Sequence, residues 1–430
     1  MYRYLITLLC MGLIMLTGAC CKNKCGKTPE APASAELDHQ ISTVELSTQN
    51  NSFAFELLHQ VDKEGQNLLF SPFSINSAMG MAYTGAKGNT AAEMAKVMDY
   101  QYSPEQQHYS FNKSQEMLKA VKERKRAELD IANAMFSADT NKDRLVPDYL
   151  KTLQKSFDSE LVYLDFSQAK KSADFINAWV EKKTNDRIKD IVSEKQIADS
   201  RDGLVLVNSI YFKSAWISPF SRKSTKEDKF YTSSQREKDS YIMLPMMQQK
   251  GDFNYAELPE GQIIELFFED TDLSMVFMLP KDIDAASKDL NDETWQTWMK
   301  YLNESQKVEV FLPRFRLEQS LEDLPETFKA MGMHDAFSAG RADFTGILAP
   351  GKDNIYISDI VHKAFLEVIE EGTEAAAATQ IGFAKTSFEP PALNVPIFRA
   401  DKPFLCMIVH KEDNTILFAG KVVKPVAAKE

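Results

Sequence analysis

Apolar residues recur along this chain in three rhythms, and each predicts a different kind of element. The first is a continuous run, Tyr4 to Leu16, behind the single early cation Arg3 and ahead of Thr17, Gly18 and Ala19. It is shorter than the roughly 20 apolar residues a spanning helix needs, so residues 1–19 read as an export signal. The second rhythm is helical. Phe53, Phe55, Leu57, Leu58 and Val61 mark a helix from about Asn51, and Phe175, Ile176, Trp179, Val180 and Ile188 form the packing side of a long one over Lys171 to Val192. Between them, Asn67 to Phe70 reads as a short strand and Ser71-Pro72 as a helix start, since proline there gives up only an amide that would be unpaired anyway. The third rhythm is that of strands: Leu129 to Phe136, Leu161 to Phe166, Gly203 to Phe220, Ile263 to Glu269, Ser274 to Leu279 and Glu309 to Arg316. Pro313 fits poorly in the middle of a ladder.

One stretch fits none of these cleanly. From Val368 to Ser387 a period of two puts Thr373, Ala375, Ala377, Thr379, Ile381 and Phe383 on one uncharged face, small at first and bulky later. No proline interrupts it, so every amide from Gly372 onward could join a ladder. Yet four alanines in a row, with Gly372 and Gly382, make a weak permanent strand. A helix or a surface linker is the competing reading.

Composition narrows the function. At 430 residues, 44% of them hydrophobic, the chain can bury a large core, and its length allows one to three domains. A net charge of -12 argues against a nucleic-acid partner or a polybasic membrane surface. The charge runs Lys122 to Arg126 and Arg222 to Lys226 read as solvated faces. Cys10, Cys20, Cys21 and Cys25 crowd the start and only Cys406 lies in the body, so no internal disulfide staples the fold. Cys406, inside Phe-Leu-Cys-Met-Ile-Val, reads as packing. No Gly-x-Ser-x-Gly elbow and no His-Glu-x-x-His pair is present, so neither a hydrolase nor a metal or other cofactor is expected. His362, alone in an apolar strand, reads as a hydrogen-bonded structural histidine.

Several blocks together carry a family resemblance: Ser71 to Ser74, Gly85 to Thr90, Gly203 to Phe220, Glu309 to Arg316, Ala342 to Gly346, Ile360 to Thr379, Phe398 to Leu405 and Phe418 to Val423. In this order, over roughly residues 45–426, they resemble the serpins, and most closely serpins of the inhibitory type. The resemblance implies an α+β fold with three β-sheets, about eight or nine helices and an exposed reactive-centre loop. Leu-Thr-Gly-Ala-Cys at residues 16–20 further resembles a bacterial lipobox, although Thr17 stands where that motif prefers leucine. Cys20 would then be lipidated, Lys22 to Val44 would form a tether, and residues 45–430 would be the serpin domain, exported and held at an outer membrane by that lipid anchor only, or otherwise secreted.

The resemblance also assigns roles. Glu370, Glu371, Gly372, Thr373, Glu374, Ala375, Ala376, Ala377 and Ala378 match the hinge of the loop. Ser71, Ser74, Asn208 and His362 match a polar cluster beneath the strands that must part, and Trp216, Arg314 and Glu370 match the group at the top of the sheet where the loop first enters. The bond to be cut lies between Thr386 and Ser387 by family spacing, or after Lys385 for a trypsin-like target; Ala384 and Thr386 suit elastase-like enzymes. The expected partners are serine proteases of these kinds, with cysteine proteases as a further class, acting on a monomer. Ordering a loop residue costs about 1–2 kcal/mol and a ladder hydrogen bond returns only about 0.5–1.5, so insertion would need strain stored in the uncleaved chain. A carrier that keeps the scaffold without insertion is the rival reading.

Overall fold

A computed structural model describes residues 43–123, 127–200, 203–321, 323–351, 354–371 and 395–428. Its elements run α1 (Thr43–Val61), β1 (Leu68–Phe70), α2 (Pro72–Tyr83), α3 (Gly88–Met98), α4 (Pro104–Lys122), β2 (Ala127–Ala138), α5 (Pro147–Phe157), β3 (Glu160–Leu164), α6 (Ala169–Lys183), α7 (Glu194–Asp199) and β4 (Leu204–Ser214). They continue with β5 (Lys226–Tyr231), β6 (Tyr241–Leu258), β7 (Gly261–Phe267), β8 (Leu273–Pro280), α8 (Ile283–Asp289), α9 (Asp292–Tyr301), β9 (Ser305–Pro313), β10 (Phe315–Leu321), α10 (Leu324–Ala330) and β11 (Ile357–Val368). After the reactive-loop region come β12 (Ile397–Arg399), β13 (Phe404–His410), β14 (Thr415–Val422) and β15 (Val426–Ala427).

Two sheets organise these elements. The first has six strands in the order β15-β10-β11-β4-β2-β3. The second has nine, in the order β1-β14-β13-β8-β7-β6-β9-β12, with β5 added to β6. The α+β class is as expected, but the described residues hold ten α-helices and two hydrogen-bonded sheets where about eight or nine and three were expected. The cause is β6, which is 18 residues long: its first part pairs with β5 and β9 and its last part with β7, joining what would otherwise be separate sheets.

The central strand β4 shows why the first sheet is buried on both faces. Its alternate residues enter different cores: Val205, Val207 and Tyr211 pack with Ile176 and Val180 of α6, whereas Ile210 and Phe212 pack with Phe277, Phe315 and Phe404 between the sheets. Leu204 and Leu206 join a third core built on α1, α2 and α3.

Three local expectations change. The helix read as Lys171 to Val192 ends at Lys183, because Asn185 and Asp186 take the left-handed conformation that these two residue types tolerate best. Ile188 is still buried, but from the following turn, and Phe175 lies 47% exposed, one position off the stripe formed by Ser172, Ala173, Ile176 and Val180. The block Glu309 to Arg316 is two strands: Pro313 closes β9, and the chain then crosses at Arg314 into β10 of the other sheet. The first helix begins at Thr43, well before Asn51.

Two glycine motifs dock at one end of the molecule. Gly346 donates its amide to the Gly85 carbonyl at 3.0 Å, and Lys87 donates to the Asp343 carbonyl at 2.8 Å. A Cβ on Gly346 would lie 2.8 Å from the Gly85 Cα, backbone against backbone, so neither partner can yield cheaply. Gly346→Ala should therefore lower unfolding stability by about 1–3 kcal/mol. Gly340→Ala, where nothing lies within 4 Å, should stay within about 0.5 kcal/mol in the same thermal or urea unfolding experiment.

Candidate functional site

The site lies along the boundary between β11 and β4. These strands are parallel and directly adjacent, paired from Ile357 with Leu204 up to Phe365 with Tyr211. Above that point the ladder between them stops. Leu366 to Val368 pair only with β10, and Phe212 to Ser214 only with β2. The two strands thus part at their upper ends, forming a mouth that narrows downward into the paired region.

A row of polar side chains crosses the sheet below this mouth. His362 of β11 faces Asn208 of β4, and Asn208 faces Asn133 of β2, each pair in register. His362 is fully buried; its Nε2 accepts the Ser71 backbone N–H at 3.0 Å, so Nδ1 must carry the proton and donate to Asn208 Oδ1. The Asn208 amide shares its hydrogens among the Ser74 carbonyl at 2.9 Å, the Ser74 hydroxyl and Asn133 Oδ1. Asn133 passes the chain on to Ser77 Oγ at 3.1 Å. Ser71 caps α2, accepting the Ser74 N–H at 3.1 Å and donating to the Leu417 carbonyl at 2.6 Å. The four expected residues Ser71, Ser74, Asn208 and His362 therefore lie together, and Asn133 and Ser77 extend the row.

The top of the mouth is closed by polar contacts to the chain leaving β11. Trp216, 2% exposed and stacked on Phe268 at 4.5 Å, donates its indole N–H to the Ile369 carbonyl at 3.1 Å and its backbone N–H to the Glu371 carbonyl at 2.9 Å. Phe220 donates to the Glu370 carbonyl at 2.8 Å. The buried Glu370 carboxylate accepts the Thr225 hydroxyl at 2.7 Å and lies 3.6 Å from the Arg314 guanidinium. Glu371 pairs with Arg222 at 2.6 Å. Trp216, Arg314 and Glu370 are thus brought together as expected. Thr225 of the segment read as a solvated face turns inward to Glu370, whereas Arg222 reaches Glu371 from the surface, its side chain 59% exposed.

A third feature covers the outer face of the parallel pair. The Lys363 ammonium of β11 donates to the Lys189 carbonyl at 2.9 Å, in the turn after α6, and also pairs with Glu318 of β10 at 2.8 Å. Gly372, Thr373, Glu374, Ala375, Ala376, Ala377 and Ala378, the bond candidates Lys385, Thr386 and Ser387, and the lipidation candidate Cys20 lie outside the described residues. Cys406 is buried in β13, and burial pushes its thiol up to about 12, which makes it unreactive.

Three comparisons with known proteins bear on this arrangement. The family model described as "Serpin (serine protease inhibitor)" matches residues 48–425. Serpin B3 of Homo sapiens is 36% identical over 404 residues, covering 88% of this chain and 99% of that protein. Antithrombin-III of Homo sapiens is 36% identical over 401 residues, covering 89% and 82%. Among solved structures, human thyroxine-binding globulin complexed with its hormone superposes with a TM-score of 0.76 at 26% identity, covering 89% of this chain and 99% of that one.

Burial lowers the His362 imidazole from its usual 6.5 to about 3. Above pH 6.5 the folded and opened forms hold the same number of protons; between 6.5 and 3 only the opened form takes one up. Stability should therefore fall as pH falls through that window, by about 1.4 kcal/mol per pH unit from this group. Comparing His362→Gln with the parent by thermal unfolding from pH 7 to pH 4 should show a shallower pH dependence in the variant.

Proposed function

This chain belongs to the serpin family, and we propose that it is a suicide-substrate inhibitor of serine proteases, and of some cysteine proteases, rather than an enzyme. A protease takes the loop after Glu371 as a substrate. Its serine or cysteine adds to the scissile carbonyl, the peptide C–N bond breaks, the new amine end leaves with the proton, and an acyl-enzyme remains. Before water can attack that acyl bond, the cleaved loop enters the mouth between β11 and β4 and carries the protease with it.

The observation that carries this reading is the parallel β11·β4 pair with its open upper end. A chain leaving the top of β11 and turning back runs antiparallel to β11, and hence to β4 as well. Insertion would exchange one parallel ladder for two antiparallel ones, and parallel pairing is the weaker per residue. The polar row suits such an exchange, because hydrogen bonds can pass to a new neighbour whereas a packed apolar seam would have to be rebuilt. The sequence of the hinge supports entry: Thr373, Ala375, Ala377 and Thr379 bring neither charge nor proline to the inserting face. The second reading, a binding protein without insertion, draws on the likeness to thyroxine-binding globulin, which was solved with its ligand; the small, uncharged hinge favours inhibition.

Broad specificity follows from Lys385 beside Thr386, for trypsin-like and elastase-like targets respectively. An exported monomer held at a bacterial outer membrane through Cys20 completes the proposal, with a freely secreted form as the alternative.

Mixing the protein with trypsin and with elastase should give covalent adducts that survive a denaturing gel, and the mass of the released C-terminal peptide should place the cut after Lys385 or Thr386. Thr373→Arg should turn inhibitor into substrate, raising the protein consumed per protease inactivated by roughly tenfold, since a charge would have to be buried during entry. The nicked chain should also melt well above the intact one. Adduct formation undiminished in Thr373→Arg, or equal melting of the two forms, would rule out insertion.

A further inference from the structure

A second site lies away from the mouth, in a cleft of about 290 Å³ between the start of α1, one side of α2, the length of α4 and the β13–β14 hairpin. This is at the small end of the range for ligand pockets. Its apolar lining includes Phe73, Phe111 and Met117. Most of its polar groups are already committed. The Tyr100 hydroxyl donates to Asn76 Oδ1 at 2.9 Å, Ser77 Oγ accepts from Asn133, and His410 pairs with Asp413 at 2.9 Å.

Two lining groups are not. Asn50 and Gln107 are only 4% and 1% exposed, and among the described residues nothing donates to Asn50 Oδ1 or Gln107 Oε1. Turning the Asn50 amide round would not remove its deficit. Asn50 Nδ2 donates to the Ile416 carbonyl at 2.9 Å and to Asn51 Oδ1 at 3.2 Å, both acceptors. Gln107 Nε2 donates at 2.7 Å to Ser110 Oγ, whose own proton goes to the Gln107 carbonyl at 2.6 Å. Each unmet buried acceptor costs about 1–3 kcal/mol until a donor reaches it. Two buried acceptors in the cleft thus await a donor. Its rim is acidic, with Glu116, Asp272, Glu412 and Asp413; of these Glu116 pairs with Lys113 at 3.2 Å and Asp413 with His410.

We propose that this cleft binds a small arylalkyl ammonium ion. The aromatic body would lie on Phe73 and Phe111, and the ammonium, with its several N–H groups and its charge, would donate to Asn50 Oδ1 and Gln107 Oε1 inside the acidic rim. A neutral alcohol offers one donor and no charge, and a carboxylate offers neither.

Titration calorimetry on the full, uncleaved chain with 2-phenylethylamine tests the assignment against 2-phenylethanol and phenylacetate. The amine should bind saturably at one site, the alcohol at least about tenfold more weakly, and the carboxylate without measurable heat. Gln107→Met should weaken the amine by about fivefold or more, and Glu412→Gln, an exposed change in the hairpin turn that spares the fold, should weaken it by about twofold. No saturable heat with up to about 10 mM amine, equal affinity for amine and alcohol, or parental affinity in both variants would each overturn the proposal. No protease enters the experiment, so its result stands apart from whether the chain inhibits one.

Discussion

Two strands running in the same direction, β11 and β4, are the constraint on which the rest of this molecule depends. Parallel neighbours cannot be joined by a hairpin, and here the chain between them builds most of the second sheet before it returns. The elements around the pair then act on it from three sides. Helix α2 supplies Ser71 and Ser74 from beneath, the turn after α6 reaches Lys363 from the outer face, and the segment from Trp216 to Thr225 holds the chain where it leaves β11.

Part of what holds the pair shut is polar, and this has an energetic meaning. A buried histidine with both nitrogens engaged in its neutral form is a satisfied group, so the row costs little while the sheet is closed. Separating β11 from β4 parts His362 from Asn208, while Asn133 stays with Asn208 across the β4–β2 ladder. The penalty falls once the three pairs above it, from Phe365 with Tyr211 down to Lys363 with Ser209, have parted. In the mechanism proposed above, this cost is a barrier to opening the sheet.

Much of this was legible in the sequence, for a physical reason: polar residues inside apolar runs have to be paired. His362 and Asn208 stand out in that way, and Ser71 precedes a proline that announces the helix it caps. Asn133 lay inside Leu129 to Phe136, a run read as a strand, but nothing in that run alone showed that it would face Asn208. The inward turn of Thr225 could not be read, because a cluster of charges gives no sign of which neighbouring side chain turns inward. The end of α6 was written in Asn185 and Asp186, whose tolerance of left-handed backbone outweighs the apolar periodicity that continues to Ile188. The number of sheets depended on β6 continuing unbroken, a matter of pairing between distant residues rather than of local pattern.

The buried thiol of Cys406 has a practical use. It lies in β13, in the second sheet, with β14 and β8 on either side, so a thiol reagent can reach it only when that sheet loosens. In a chain whose four cysteines before residue 26 have been replaced, its labelling rate becomes a clock for one half of the molecule. With Trp179, Trp295 and Trp298 also replaced, emission from Trp216 reports on the place where the chain leaves β11, and the order in which the two respond distinguishes a molecule that yields along one seam from one that melts throughout.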